Sequence, residues 1–249
     1  MPFCAVAFKR NLAWKDNLTL WGDAVKKSPG KARGHTNIGL AYHESGRMKD
    51  AVKEYLAAIA AEFDYAPAHN NLGAAYDELG RKDEAIQEYR VAIILQPGEA
   101  GVYYNLGNVQ SKLGRMIDAI EEYRKAITLK PDYAPAYNNL GLAYDKLGRM
   151  DEAVREYRKA ITLKPDYAPA HNNLGDAYDK LGRTDEAIQE YRKAARLKPD
   201  EAGVHYNLGL AYTKMGLNGE AIKEFNEALR INPGFKEARQ DFERLREKP

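Results

Sequence analysis

Cysteine is almost missing from this chain: Cys4 is the only one in 249 residues. That excludes an internal disulfide and any cysteine-based metal site. No apolar run reaches the ~18 residues that a membrane-spanning helix requires. Neither sign of charge dominates, since 38 Lys and Arg stand against 36 Asp and Glu for a formal net charge of +2. The charges are interspersed as on solvated helix faces, so nothing proposes nucleic acid as a partner. Catalytic signatures are missing too. No glycine-rich phosphate loop leads into Lys-Ser/Thr, no His-Glu-x-x-His occurs and no Gly-x-Ser-x-Gly is present. These absences point away from an enzyme, and no cofactor or metal is proposed.

What is abundant is repetition. Asn37, Asn71, Asn105, Asn139, Asn173 and Asn207 recur at an interval of 34 residues, each before Leu-Gly or, in the first copy, Ile38-Gly39. The blocks are 32–65, 66–99, 100–133, 134–167, 168–201 and 202–235. Within them the first place is always Ala, the sixth Asn, the eighth and fifteenth Gly, and the twentieth and twenty-seventh Ala. The twenty-third place is always Glu, on what the periodicity reads as a solvated face. Tyr fills the eleventh place except at Gln110 and the twenty-fourth except at Phe225. A repeat of this length cannot bury its own apolar face, so copies must stack.

Block 134–167 shows why each copy reads as a helical hairpin. Tyr137, Leu140, Ala143, Tyr144 and Leu147 follow helical spacing, and Gly148 stops that helix. Asp151 and Glu152 open a second helix at its positive dipole end. Its stripe is Ala153, Val154, Tyr157, Ala160, Ile161 and Leu163, and Pro165 closes it. Small residues at Gly141, Ala153 and Ala160 let the two axes approach closely.

These residues, in register over six copies, resemble the tetratricopeptide repeat family across residues 32–235. The resemblance implies an all-α, right-handed superhelical solenoid whose first helices line a concave side. Gln110 in place of an aromatic predicts looser packing between blocks 66–99 and 100–133. Phe63 in place of the terminal Pro predicts a looser or longer helix end. A longer period is also present: residues 83–90 reappear at 185–192, and 99–102 at 201–204.

The ends differ. Residues 1–13 form an N-terminal extension, and 14–31 read as the second helix of a block whose first helix is missing. Trp21 there takes the place of Tyr55 and is expected to be buried on block 32–65. Residues 236–249 read as a charged capping helix with Ala238, Phe242 and Leu245 on one side. Residues 1–8 are apolar but too short for a signal peptide; one reading is a frayed terminus, and the other takes residues 3–8 as the stub of a transmembrane helix. With Lys9 to Trp14, Leu20-Trp21 and Pro29, they resemble the junction where polytopic glycosyltransferase-type membrane proteins enter a tetratricopeptide domain. The compartment therefore stays open: cytoplasmic by default, extracytoplasmic if that junction reading holds.

Helical geometry and the resemblance together place the fifth, sixth, ninth, twelfth and thirteenth residues of each block on the concave face. The candidate peptide-binding set is Asn37, Asn71, Asp77, Tyr104, Asn105, Asn108, Asn138, Asn139, Asp145, Asn172, Asn173, Asp176, Lys180, Tyr206 and Asn207. A primary amide donates and accepts, so an Asn column can match the N–H and C=O of an extended peptide. The column resembles the asparagine ladder in the repeat domain of O-linked N-acetylglucosamine transferase, whose catalytic domain has no counterpart here. Asn at the sixth place equally admits a structural role, satisfying neighbouring helix groups. Glu44, Asp77 and Glu78 favour a basic ligand segment facing the early blocks.

Chaperone-binding relatives use Lys at the fifth place of their first repeat, where this chain has Thr36, and no later copy supplies one. His35, His69, His171 and His205 share the fourth place with Tyr103 and Tyr137. A metal-binding pair between adjacent copies is one reading and an imidazole standing in for a packed aromatic is the other. The sequence thus predicts a non-enzymatic scaffold for a protein or extended peptide. The alternatives are the repeat portion of a membrane-bound glycosyltransferase-like protein that positions acceptor polypeptides, and an array that self-associates through its ends.

Overall fold

The computed structural model describes residues 17–247. Expectations for residues 1–16, including Trp14 and the junction motif, lie outside them. The chain divides into two compact units, residues 1–129 and 130–249. The first holds α1 (Asn17–Lys27), α2 (Ala32–Glu44), α3 (Met48–Ala61), α4 (Ala66–Glu78), α5 (Lys82–Leu95), α6 (Ala100–Lys112) and α7 (Met116–Leu129). The second holds α8 (Ala134–Lys146), α9 (Met150–Leu163), α10 (Ala168–Lys180), α11 (Thr184–Leu197), α12 (Ala202–Lys214), α13 (Asn218–Ile231) and α14 (Lys236–Arg246). No strand and no helix long and apolar enough to cross a membrane occurs among the described residues. The fold is all-α.

Each block is one hairpin, and its turn follows from the fifteenth-place glycine. Gly80 and Gly148 have φ of 77° and 74°, the left-handed region that glycine adopts without strain. The next N–H then returns to the eleventh-place carbonyl, from Arg81 to Tyr76 at 2.8 Å and from Arg149 to Tyr144 at 2.9 Å. Pro67, Pro135 and Pro169 stand in the first turn of their helices, where a missing N–H costs nothing.

The hairpin core is an aromatic ring laid on a glycine. Tyr55, Tyr123, Tyr157 and Phe225 are buried completely or nearly so. A β-carbon at Gly141 would fall 2.7 Å from the Tyr157 ring, and one at Gly209 2.5 Å from Phe225. The buried alanines Ala51, Ala85, Ala119, Ala153, Ala187 and Ala221 complete this contact. Between blocks, second helices pack on the next first helix, and first helices also touch each other: α2 with α4 and α4 with α6 in one unit, α8 with α10 and α10 with α12 in the other. Within each unit, residues on successive first helices therefore share one face.

Three expectations need correction. Phe63 does not lengthen its helix: α3 ends at Ala61 after 14 residues, as α5 does at Leu95. The extended backbone at Glu62 ends the helix before Phe63 is reached. Trp21 is half-buried rather than buried. It docks with α1 against α2, but the described residues hold no preceding first helix whose glycine would cover the ring. The twenty-third-place Glu is not solvated either. Glu54, Glu88, Glu190 and Glu224 are half-buried and bonded to the fourth-place histidine of their own block. Gln110 is buried, with its side-chain oxygen lacking a partner.

Candidate functional site

The residues expected on the concave face do lie on successive first helices, but many are already engaged with one another. In the first unit Asn105 Nδ2 donates to Asn70 Oδ1 at 3.4 Å, and Asn70 to Asn71 Oδ1 at 3.5 Å. In the second, Asn173 donates to Asn138 Oδ1 at 3.0 Å, Asn138 to Asn139 at 3.1 Å, and Asn207 to Asn172 at 3.3 Å. The rule is that a sixth-place amide reaches back to the fifth-place amide of the preceding block. Asn138 is buried. Asn37, the first member, makes no side-chain hydrogen bond among the described residues and stays half-buried.

Charges on the same face obey a second rule. The thirteenth-place lysine reaches the twelfth-place aspartate of the block before it. Lys112 meets Asp77 at 2.7 Å, Lys180 meets Asp145 at 2.7 Å, and Lys214 meets Asp179. Lys82 adds a second contact to Asp77 at 3.0 Å. Burial pushes the Asp77 carboxyl up, yet the hydrogen bonds from Lys112 and Lys82 hold it below the usual range. Glu78 is taken by His43 at 2.8 Å. Of the acids that marked the early blocks as a basic-peptide site, Asp77 and Glu78 therefore have partners within the fold, and Glu44 stays exposed.

Asp176 differs. It makes no ion pair among the described residues and accepts only from Tyr191 Oη at 2.6 Å and Asn207 Nδ2 at 3.2 Å. Burial lifts its carboxyl above the ordinary value, with Asp145 and Asp179 adding to the rise against the Tyr191 hydrogen bond and nearby Lys180. A carboxylate in that position is an unneutralised negative charge on the first-helix face.

The remaining candidates are mostly packing residues. Tyr123 donates to Asn108 Oδ1 at 2.9 Å, and the Tyr104 ring lies 6.0 Å from that of Tyr123. Tyr206 is covered by the chain end: its ring lies 4.9 Å from Phe235, and its hydroxyl donates to Asp241 on α14 at 3.1 Å. Burial and that bond push its phenol up to about 12. No group of three His, Asp or Glu suited to a metal ion occurs among the described residues. Each fourth-place histidine faces a glutamate of its own block, not a histidine of the next.

The inter-block bonds and the His–Glu contacts were not read from the sequence. Their signals were present as an Asn-Asn pair at places five and six, Asp-Lys at twelve and thirteen, and the constant Glu. A signal at 35 residues crosses the repeat boundary and shows only once neighbours are stacked.

Comparison with known proteins agrees with this geometry. The TPR repeat model matches residues 39–80, 76–114, 112–148, 146–182 and 175–216, and the tetratricopeptide repeat model matches 202–235. No curated protein matches the chain. Among solved structures, a chain of the APC/C hetero-tetramer Cut9–Hcn1 is similar at 26% identity and a TM-score of 0.77, over 92% of this chain and 45% of that one. This chain thus spans under half the length of that relative. MamA is similar at 31% identity and a TM-score of 0.61, over 67% of this chain and 97% of its own. YrrB, described as a TPR protein with an unusual peptide-binding site, shares the fold at 21% identity and a TM-score of 0.60, over 74% of this chain and 95% of that one. With repeat models covering residues 39–235, the chain belongs to the tetratricopeptide repeat family, whose repeats build scaffolds for protein–protein interaction.

Proposed function

We propose that this chain is a non-enzymatic scaffold whose units each bind an extended segment of a partner protein along the face shared by their first helices. One observation carries the reading. The side-chain oxygens of Asn105, Asn173 and Asn207 accept no hydrogen bond among the described residues, yet these side chains remain only half-buried. Their inter-block bonds use amide hydrogens, so acceptor capacity is left for the N–H groups of an incoming main chain. The inter-block bonds also fix each amide's rotamer, which lowers the ordering cost of binding. Asp176 favours a basic side chain in the bound segment, because a cation there neutralises an otherwise unpaired carboxylate.

The test uses a partner recovered from native lysate and titrated against purified variants. Asn105→Ala, Asn139→Ala and Asn173→Ala together should weaken it tenfold or more, since three bonds at ~1 kcal/mol approach ~3 kcal/mol. They should also lower stability modestly, because Asn105 and Asn173 tie neighbouring blocks. Asp176→Asn separates the two effects. Its oxygen still accepts from Tyr191 and Asn207, and the charge is gone. A raised folded pKa means that ionisation destabilises the fold as pH climbs through that value. Asp176→Asn should therefore melt higher than the parent at pH 7, with the difference shrinking toward pH 4, while partner affinity falls. Unchanged affinity in both variants would leave the amides and Asp176 as structural residues only.

A further inference from the structure

Four histidines make the same three-way contact. Nδ1 faces the twenty-third-place glutamate of the same block: Glu54 at 2.7 Å from His35, Glu88 at 2.7 Å from His69, Glu190 at 2.6 Å from His171 and Glu224 at 2.7 Å from His205. Nε2 faces the main-chain carbonyl six residues back, at Pro29, Phe63, Pro165 and Pro199, over 2.9–3.1 Å. One ring thus joins the first helix of a block, its second helix and the end of the preceding helix.

Counting protons shows how such a joint is held. A carbonyl only accepts, so Nε2 must carry a hydrogen. A neutral ring then turns the Nδ1 lone pair toward a carboxylate that also has only lone pairs. The contact closes when a second proton lies between them, with an imidazolium donating to the carboxylate. We propose that these four joints are proton-dependent clasps, closed while the shared proton is bound and opened as rising pH removes it. Blocks 32–65, 66–99, 168–201 and 202–235 loosen on opening. Blocks 100–133 and 134–167 carry Tyr103 and Tyr137 at the same place and do not respond.

Few other charges face the rings. Glu62 accepts from the Ala32 N–H, one turn before His35. Around His171, Lys193 donates to Glu190 at 2.7 Å and shares a cavity with Arg196. Near His205, Glu227 adds to Glu224 and is itself paired with Arg230. The bond to Glu224 holds His205 above the ordinary imidazole range despite burial. Burial would raise Glu190, but bonds from His171 and Lys193 hold it below the usual carboxylate range.

The signs define a window. A raised imidazole pKa gives a contribution that is complete below the unfolded value of ~6.5 and is lost as pH climbs through the folded one. A lowered carboxylate pKa gives a contribution lost in acid, as pH falls through its depressed value. The residues after each ring include Asn70, Asn71, Asn172, Asn173 and Asn207, so clasp opening also loosens the turn that presents the amides. The clasp goes beyond the peptide-binding reading, and its test needs no partner.

The experiment records imidazole ¹⁵N shifts of the whole chain from pH 5 to 9, with a melting curve at each pH. The clasp requires Nδ1 of each ring to carry its proton while the joint is closed, and the midpoint of His205 to lie above the reference of ~6.5. It also requires a melting temperature that falls by several degrees between pH 6.5 and 9. Replacing the four histidines with tyrosine, as blocks 100–133 and 134–167 already have, should flatten that slope. Glu190→Gln with Glu224→Gln supplies amide donors to neutral Nδ1, so the midpoint of His205 should drop while both joints stay closed at high pH. A His205 midpoint at or below ~6.5, or closed joints around singly protonated rings, would overturn the clasp. So would a parent slope equal to that of the tyrosine variant. If that variant does not fold, the ring titrations of the parent and the glutamine pair decide the matter alone.

Discussion

At the scale of single residues, the glycine–aromatic contact is the tightest constraint. At Gly141 a β-carbon would also meet the Ala153 carbonyl oxygen at 3.2 Å, so neither the ring nor the backbone can yield freely. Gly141→Leu should lower stability by about 1–3 kcal/mol or more through overpacking. Gly101→Ala, with nothing within 4 Å of the new carbon, should stay within about 0.5 kcal/mol. Paired urea melts check both, and equal midpoints for Gly141→Leu and the parent would show the contact to be misplaced. The twenty-fourth-place hydroxyl offers a second contrast. The buried Tyr157 hydroxyl has no partner, whereas Tyr191 donates to Asp176 at 2.6 Å. The ninth place explains the difference, being Leu142 in one block and Asp176 in the other. Tyr157→Phe should be neutral or stabilising, because an orphaned buried hydroxyl costs about 1–3 kcal/mol. Tyr191→Phe should cost about 1–3 kcal/mol, as a bond to a carboxylate is lost. Phe225 already occupies this place opposite Leu210. Urea midpoints that move the same way in both variants would refute the pairing argument.

At the scale of elements, the two terminal helices solve one problem differently. α14 lies on α13, burying Ala238 and Leu245 and half-burying Phe242, and it covers Tyr206. Its exposed positions are largely charged, among them Lys236, Glu237, Arg239, Glu243 and Arg244. α1 docks on α2 through contacts such as Val25 against Gly34 and Gly22 against Ile38, and Trp21 remains half-buried. With Trp14→Phe leaving one fluorophore, acrylamide should quench Trp21 more slowly than free indole but faster than a fully buried ring. A rate equal to that of free indole would mean that α1 is undocked in solution.

At the scale of the molecule, contacts run between neighbouring helix pairs, so stability is a sum of block and interface terms. The loss caused by Gly141→Leu should therefore reach beyond α8 and α9. Amide exchange should accelerate in α10, which packs on both. Exchange that rises only within 134–163 would show that the blocks of this unit are independent. The inter-block rows of Asn–Asn and Asp–Lys bonds add register more than energy, since exposed ion pairs such as Lys180–Asp145 contribute ~0–1 kcal/mol.

Local rules were legible in the residue string because they act within about one block. Repeat length, hairpin turns at Gly80 and Gly148, helix starts at Pro67 and Pro135, and the buried Tyr and Ala stripes all follow from periodicity and backbone preference. The position of the asparagines on the first helix of each block follows likewise. The sequence could not show what those side chains do there, because an amide or carboxylate chooses its partner by distance, and the nearest partners lie 35 residues away across a stacked interface. The constant glutamate shows the same limit inside a single block. By periodicity it faced water, yet the packing of the two helices of one hairpin brought the fourth-place ring to within 2.7 Å of Glu54, Glu88 and Glu224 and turned a surface charge into half of a part-buried joint. Composition and pattern determined the helices and their order; only their packing decided which polar groups are spent on the fold and which are left for a partner.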